Sequence, residues 1–267
     1  MFSRIYVGLL AVLLMLSSCA DEKKESKRHK PPNTLEALKK AAKAYPDSLL
    51  LVHALIEQYR NQGHYDSALA LTDEQIRSDS GNAYLWNIKA TLYFENDDTL
   101  RAIEALEHAI AIYPLPEYLA ALGSIYAEIK SPNALLIADE LLQMNKAKFS
   151  KNAFFIKGMY YNFSHKPDSA LFFMDKSLAL DYSYMYAYRE KAIALYQLKR
   201  YEEALIVLQR AVTIQNNFDE GYYWMGKVYE KLNQKEEALQ SYKNALLYDK
   251  DFLEARQALE KLQKQLP

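Results

Sequence analysis

Alanines recur at Ala68, Ala102, Ala134, Ala170, Ala204 and Ala238, at intervals of 34, 32, 36, 34 and 34 residues. Such a period constrains folding more than any composition figure, because each period must be one supersecondary unit that buries its apolar face against its neighbours. A second landmark runs in register. Tyr59, Tyr93, Tyr161 and Tyr229 stand nine residues ahead of their alanine and Tyr126 eight, with Leu195 at the remaining place. Three residues earlier the site is small in five cases, Ala90, Gly123, Gly158, Ala192 and Gly226, and is Ile56 in the first. This spacing predicts two antiparallel helices per period. The small residue lets the second helix approach, and the alanine opening that helix fits against the bulk of the first. Turn signals fall where the hairpins need them, at Asn61-Gln62-Gly63, Glu95-Asn96-Asp97-Asp98, Lys130-Ser131-Pro132, Ser164-His165-Lys166-Pro167-Asp168, Lys199-Arg200 and Lys231-Leu232-Asn233. Pro46, Pro114 and Pro132 stop or start helices without breaking one. With 7 Gly and 8 Pro, the chain lacks the tight turns of a many-stranded barrel or sandwich, so an all-α fold is expected. Alternate tyrosines from Tyr182 to Tyr188 imitate a strand, but the repeat register makes this segment a turn and a helix start, with Tyr188 at the position Trp86 holds in its own copy.

The run Trp86-Asn87-Ile88-Lys89-Ala90-Thr91-Leu92-Tyr93, followed by Ala102, Leu106, Ala109 and Pro114, is similar to the tetratricopeptide repeat. The segment from Tyr222 to Tyr229, with Ala238, Tyr242 and Ala245, is nearly as good a copy. The resemblance implies an all-α superhelical solenoid of about six helix-turn-helix repeats, at 49–82, 83–116, 117–150, 151–184, 185–218 and 219–252. Capping helices are expected at 34–48 and 253–267, since a stack cannot end on bare apolar faces. The repeat-packing set is then Tyr59, Ala68, Trp86, Ala90, Tyr93, Ala102, Gly123, Tyr126, Ala134, Gly158, Tyr161, Ala170, Ala192, Ala204, Gly226, Tyr229 and Ala238. Two departures stand out: Ile56 and Gln75 occupy small-residue positions, and the third copy is shortened between Pro116 and Pro132.

In this family the first helix of each pair lines the concave surface. That register implies a groove presenting His53, Tyr84, Asn87, Phe94, Asn152, Phe155, Asn162, Tyr186, Arg189, Tyr196, Tyr223 and Lys227, with Glu57, Thr91, Met159, Ile193 and Glu220 beside them. Aromatics with a polar tip, amides and an arginine compose a protein-contacting surface. The two-carboxylate clamp of some family members is not reproduced, because its places hold His53, Glu57, Asn87 and Thr91.

The N-terminus reads as an address. Arg4, the apolar run 5–16 and Leu16-Ser17-Ser18-Cys19 form a secretory signal over 1–18. The run is too short to span a bilayer, which needs about 20 residues. Leu16-Ser17-Ser18-Cys19 also resembles the lipobox of bacterial lipoproteins, which implies cleavage before Cys19 and acylation of its thiol and amine. Cys19 is the only cysteine in the chain. Residues 19–33 follow as a tether, eight of the ten residues 21–30 being charged, and such a segment cannot bury enough surface to order itself.

Net charge is −1, so there is no basic surplus for a phosphate backbone, and nucleic acid is excluded as a partner. The five histidines form no i, i+4 pair, and no phosphate loop, nucleophile elbow or metal spacing appears, so no catalytic residue, metal or cofactor is expected. The acid pairs Glu202-Glu203 and Glu236-Glu237 open second helices, where they suit the helix dipole. These features describe a non-catalytic adaptor of the bacterial cell envelope, at the outer membrane. Its partners are envelope proteins or peptides, with the bilayer engaged through acylated Cys19. The alternatives are a homodimer through the end helices and a glycan-binding module. The layout resembles the outer-membrane repeat lipoproteins of pilus assembly, barrel assembly and peptidoglycan-hydrolase control.

Overall fold

The computed structural model describes residues 35–45, 48–144 and 146–264. The expected signal segment, Cys19, the charged segment to residue 33 and Pro46 lie outside the described residues. Among the described residues there are fourteen α-helices and no strand. A lone α1 (Leu35–Ala44) precedes six pairs. These are α2 (Leu49–Asn61) with α3 (Tyr65–Ser78), α4 (Ala83–Glu95) with α5 (Thr99–Ile112), and α6 (Pro116–Glu128) with α7 (Asn133–Met144). Then come α8 (Lys146–Phe163) with α9 (Pro167–Leu180), α10 (Met185–Gln197) with α11 (Tyr201–Ile214), and α12 (Asp219–Lys231) with α13 (Lys235–Tyr248). The last helix is α14 (Leu253–Gln263). Every helix packs on the next in chain order, and the apolar interior is a succession of local clusters, as a one-dimensional stack requires. The tyrosine-rich segment follows the repeat register: Tyr182 lies in a turn, α10 starts at Met185, and Tyr188 is buried in the core. No described helix is long and apolar enough to cross a membrane.

Within each pair the two helices exchange volume. All six periodic alanines have zero exposure. Four residues further on, Thr72, Leu106, Ala138, Met174, Leu208 and Tyr242 are buried, and Met174 and Tyr242 lie against the small residue of the first helix. A Cβ at Gly226 would stand 2.5 Å from Cε1 of Tyr242, and one at Gly158 would stand 2.4 Å from Cε of Met174. Close-packed interiors leave no room for both partners to be large. The first copy obeys the same rule from the other side. Ile56 is fully buried, and Thr72, a small residue whose Oγ1 donates to the Ala68 carbonyl at 2.8 Å, completes that pair. The departure at Ile56 is thus accompanied by a small buried residue at the position where other copies carry Met174 or Tyr242.

The hairpins close alike. One left-handed residue sits in each: Gly63, Asp97, Lys130, His165, Lys199 and Asn233, with φ between 56° and 71°. The amide of the following residue donates back to the carbonyl of Tyr59, Tyr93, Tyr126, Tyr161, Leu195 or Tyr229, at 2.8 to 3.0 Å. This is the Schellman closure of a helix end, and its acceptors are the landmark residues of the sequence pattern. Five of the six hairpins use a non-glycine residue there, at a cost of about 1 kcal/mol each.

The fourth repeat corrects an expected boundary. Its first helix starts at Lys146, five residues ahead of the expected 151, and α8 has 18 residues where the other first helices have 13. No proline or glycine stops it in that stretch, Phe149 packs against the cluster containing Leu141 and Ile156, and Ser150 is buried. Burial of these residues fixes the extra turn as helix.

Candidate interaction groove

The first helices of successive pairs touch one another from α6 through α8 and α10 to α12, with no comparable packing between second helices. Closer spacing of one layer bends the stack towards it, so the first helices line the concave side. On that side Tyr84, Phe94 and Tyr186 are exposed, and Asn87, Asn152, Tyr196 and Lys227 are half-buried. His53 is half-buried with its ring 5.5 Å from that of Tyr84, and its Nε2 is buried without a protein partner. Tyr186 lies 5.9 Å from Tyr184 and 5.4 Å from the Arg189 guanidinium.

Two stretches of this surface differ in chemistry. Between α4 and α6 there is a cavity of about 220 Å³ with Ala90, Leu106, Ala121 and Ile125 as its apolar wall and Asn87, Thr91, Phe94, Glu95, Ser124 and Glu128 around them. Its volume suits one aliphatic side chain of a bound segment.

From α8 to α12 the groove is polar and bonded. The Asn162 amide donates to the Glu190 carbonyl at 2.9 Å and to its Oε2 at 3.0 Å. Arg189 donates from Nε to Glu190 Oε1 at 3.1 Å, and from Nη1 to both carboxylate oxygens of Glu220 at 2.7 and 2.8 Å. Glu190 is 4% exposed, a carboxylate held by charge-assisted bonds on both oxygens. Glu128, exposed at the end of α6, is pushed above the usual carboxylate range by partial desolvation and by the Glu190 charge, with Arg189 opposing. In the second turn of α8, Lys151 Nζ meets Asp181 Oδ2 at 2.5 Å, and this bond, with those from Ser183, holds Asp181 down at about 2. Burial pushes the nearby Tyr184 hydroxyl up to about 12.

Several expected groove residues are placed otherwise. Phe155 is 7% exposed, with its ring 5.0 Å from Tyr184, the residue that leads into α10 and covers it. Asn162 is 3% exposed beneath Glu190, so it holds two repeats together and does not face solvent. Arg189 lies in the groove, but its charge is committed to Glu190 and Glu220. Tyr223 is half-buried between Phe252, at 5.0 Å, and Tyr242, at 5.9 Å, so the chain entering α14 covers it. Sequence reasoning missed Glu128 and Glu190 altogether. Their signal is modest: an acid on the last turn of α6, and one beside the groove arginine.

Of the packing set, Ala90, Gly123, Gly158, Ala192 and Gly226 are buried, as are the six alanines, while Tyr59, Trp86, Tyr93, Tyr126, Tyr161 and Tyr229 are half-buried. Tyrosine suits that station. The Tyr126 hydroxyl donates to Glu107 at 2.9 Å while its ring packs in the core. Trp86 stacks on His108 at 4.4 Å and donates from Nε1 to the Ser80 carbonyl. Among the described residues, no group of three or more His, Cys, Asp and Glu converges as a metal site.

Sequence profiles of the tetratricopeptide repeat match residues 53–115 and 219–252, and a further profile of the same repeat matches 192–233. Within residues 53–115 and 192–252 the chain carries tetratricopeptide repeats. Its repeat solenoid superposes on a tetratricopeptide repeat protein from Parabacteroides merdae with a TM-score of 0.71 and 19% identity, over 86% of this chain and 91% of that one. A thermophilic tetratricopeptide protein of Thermus thermophilus gives 0.60 at 15% identity, over 68% of this chain and 99% of its own. PilW, described as a widely conserved type IV pilus biogenesis factor, gives 0.59 at 17% identity, over 78% of this chain and 97% of its own. At these identities the likeness is one of fold. No curated protein matches the chain in sequence.

Proposed function

We propose that this chain is a non-catalytic adaptor of the bacterial cell envelope, held at a membrane by acyl groups on Cys19 and binding a segment of a partner polypeptide in its tetratricopeptide groove. The observation that carries the groove reading is the cavity between α4 and α6, an apolar recess beside exposed Phe94 on the concave side. An aromatic anchor next to a side-chain-sized recess is how protein surfaces concentrate binding energy. The anchoring reading rests on Leu16-Ser17-Ser18-Cys19. Several acyl chains, each contributing about 0.8 kcal/mol per buried methylene, make such attachment lasting. The charged segment after Cys19 reaches about 50 Å when fully extended, enough to stand the solenoid off the bilayer.

Affinity capture from detergent-solubilised membranes tests the groove. Wild type should recover a stoichiometric partner that the Tyr84→Ala/Phe94→Ala double variant loses and the convex-side variant Phe172→Ala keeps. Recovery unchanged by the groove pair contradicts the reading. Labelled palmitate should enter wild type and not Cys19→Ala, and equal labelling of both removes the anchor.

A further inference from the structure

Asn162 has one more hydrogen-bonding atom than its surroundings satisfy. Its side chain is 97% buried, its amide nitrogen is spent on two acceptors of Glu190, and its Oδ1 has no protein partner. The orientation is fixed, because reversing the amide would turn its oxygen towards two other oxygens. An orphaned buried acceptor costs about 1–3 kcal/mol, so this stretch holds more acceptors than donors. The groove around it shows the same surplus. Glu128, Glu190 and Glu220 bring three carboxylates around the Arg189 guanidinium, which forms ion pairs with Glu190 and Glu220 and none with Glu128. Arg189 pairs with Glu190 and Glu220 through Nε and Nη1, while Glu128 makes no hydrogen bond or ion pair among the described residues. Glu128 also stands at the rim of the apolar cavity, so the two stretches of groove meet at its carboxylate.

We propose that this groove selects a basic partner segment, one that lays a lysine or arginine side chain against Glu128, beside the Glu190–Arg189–Glu220 cluster, while a neighbouring aliphatic residue fills the α4–α6 cavity. The inference rests on the adaptor reading and adds the chemistry of the occupant. A lysine ammonium or arginine guanidinium has donors only, as the unmet positions of this groove require. Complementary charge sets which segment is accepted and speeds its encounter, while the cavity supplies apolar burial.

The test is an array of short random-sequence peptides, together with a peptide of this chain's own residues 21–33, probed with the labelled full-length chain. Peptides with Lys or Arg near a Leu, Ile or Val should bind about tenfold better than matched peptides with Gln in place of the base. Glu128→Gln should cut that preference to about twofold, and Glu128→Lys, which places a cation in the groove, should abolish it. Both changes are at an exposed position, and an unchanged circular dichroism spectrum shows that they fold. Groove binding that Phe94→Ala weakens but that shows no preference for basic peptides overturns the cation site and leaves the adaptor reading standing. Binding indifferent to Phe94→Ala overturns both. Binding by the 21–33 peptide alone makes the occupant the chain itself and overturns the partner assignment.

Discussion

Between α4 and α6 the first helices face each other across apolar side chains and leave a cavity, whereas from α8 to α12 they are joined by Asn162, Glu190, Arg189 and Glu220. Corresponding concave positions serve both stretches. In one they are left open to whatever the groove binds, and in the other they are used to hold successive repeats in register. A solenoid whose units touch only their neighbours needs such links somewhere, and the choice of where to link decides where a ligand finds unspent surface. The remaining acceptors at Glu128 and Asn162 lie on the bonded stretch and where the two meet.

The largest expected effect comes from cutting the bonded stretch. Glu190→Ala removes the carboxylate that accepts from both Arg189 and Asn162, leaving Arg189 to Glu220 and the Asn162 amide to the backbone carbonyl, and should cost about 1.5–3 kcal/mol in urea unfolding. Ser124→Ala, at the cavity, should stay within about 0.5 kcal/mol. Equal losses would erase the contrast between the stretches. Ala121→Leu tests the other side by filling the cavity. Binding of the captured partner, measured by titration calorimetry, should fall about tenfold, with stability changed by less than about 1 kcal/mol.

A smaller effect is expected at Asp181, which ties Lys151 of α8 to the turn before α10. Its carboxyl is held at about 2, below its ordinary value, so its contribution is complete above about pH 4 and is lost as pH falls through 2. Asp181→Asn should lower stability at neutral pH by about 1 kcal/mol after allowance for solvent screening. In melting curves taken at successively lower pH the gap between variant and wild type should close; a gap constant down to pH 2 would contradict the assignment. The smallest change concerns the hairpins, which are common to both stretches. Lys130→Gly and Lys199→Gly should each raise stability by about 0.5–1 kcal/mol, because glycine adopts the left-handed conformation without penalty. Thermal melting of the two singles and the double checks that the gains are similar and add.

The fold was legible because its determinant is periodic. Ala68 to Ala238 mark each helix pair whichever neighbour it has, since the contacts they make are inside the repeat. Even Ile56, which departs from the pattern, stays within it through Thr72. The groove was less legible because its contacts run between repeats, and those differ from one junction to the next. Phe155 occupies a groove position by register, yet Tyr184 covers it, and Asn162 is buried because Glu190 stands over it. Neither cover is visible in a pattern that treats every first helix alike. Gly123 shows the same limit: a Cβ there would meet Cδ1 of Ile156 at 2.9 Å, a contact with the next repeat that the hairpin alone does not reveal. The turns were legible in place but not in conformation. Lys130, His165 and Lys199 carry positive φ through closure bonds, with no glycine or asparagine to announce it.

Photo-crosslinking in the producing cell reads the concave surface directly. With benzoylphenylalanine placed in turn at Tyr84, Tyr186 and the convex Phe172, the two groove positions should capture the same partner chain and the convex position should not. Capture from Phe172 alone, with Tyr84 and Tyr186 silent, would contradict the account.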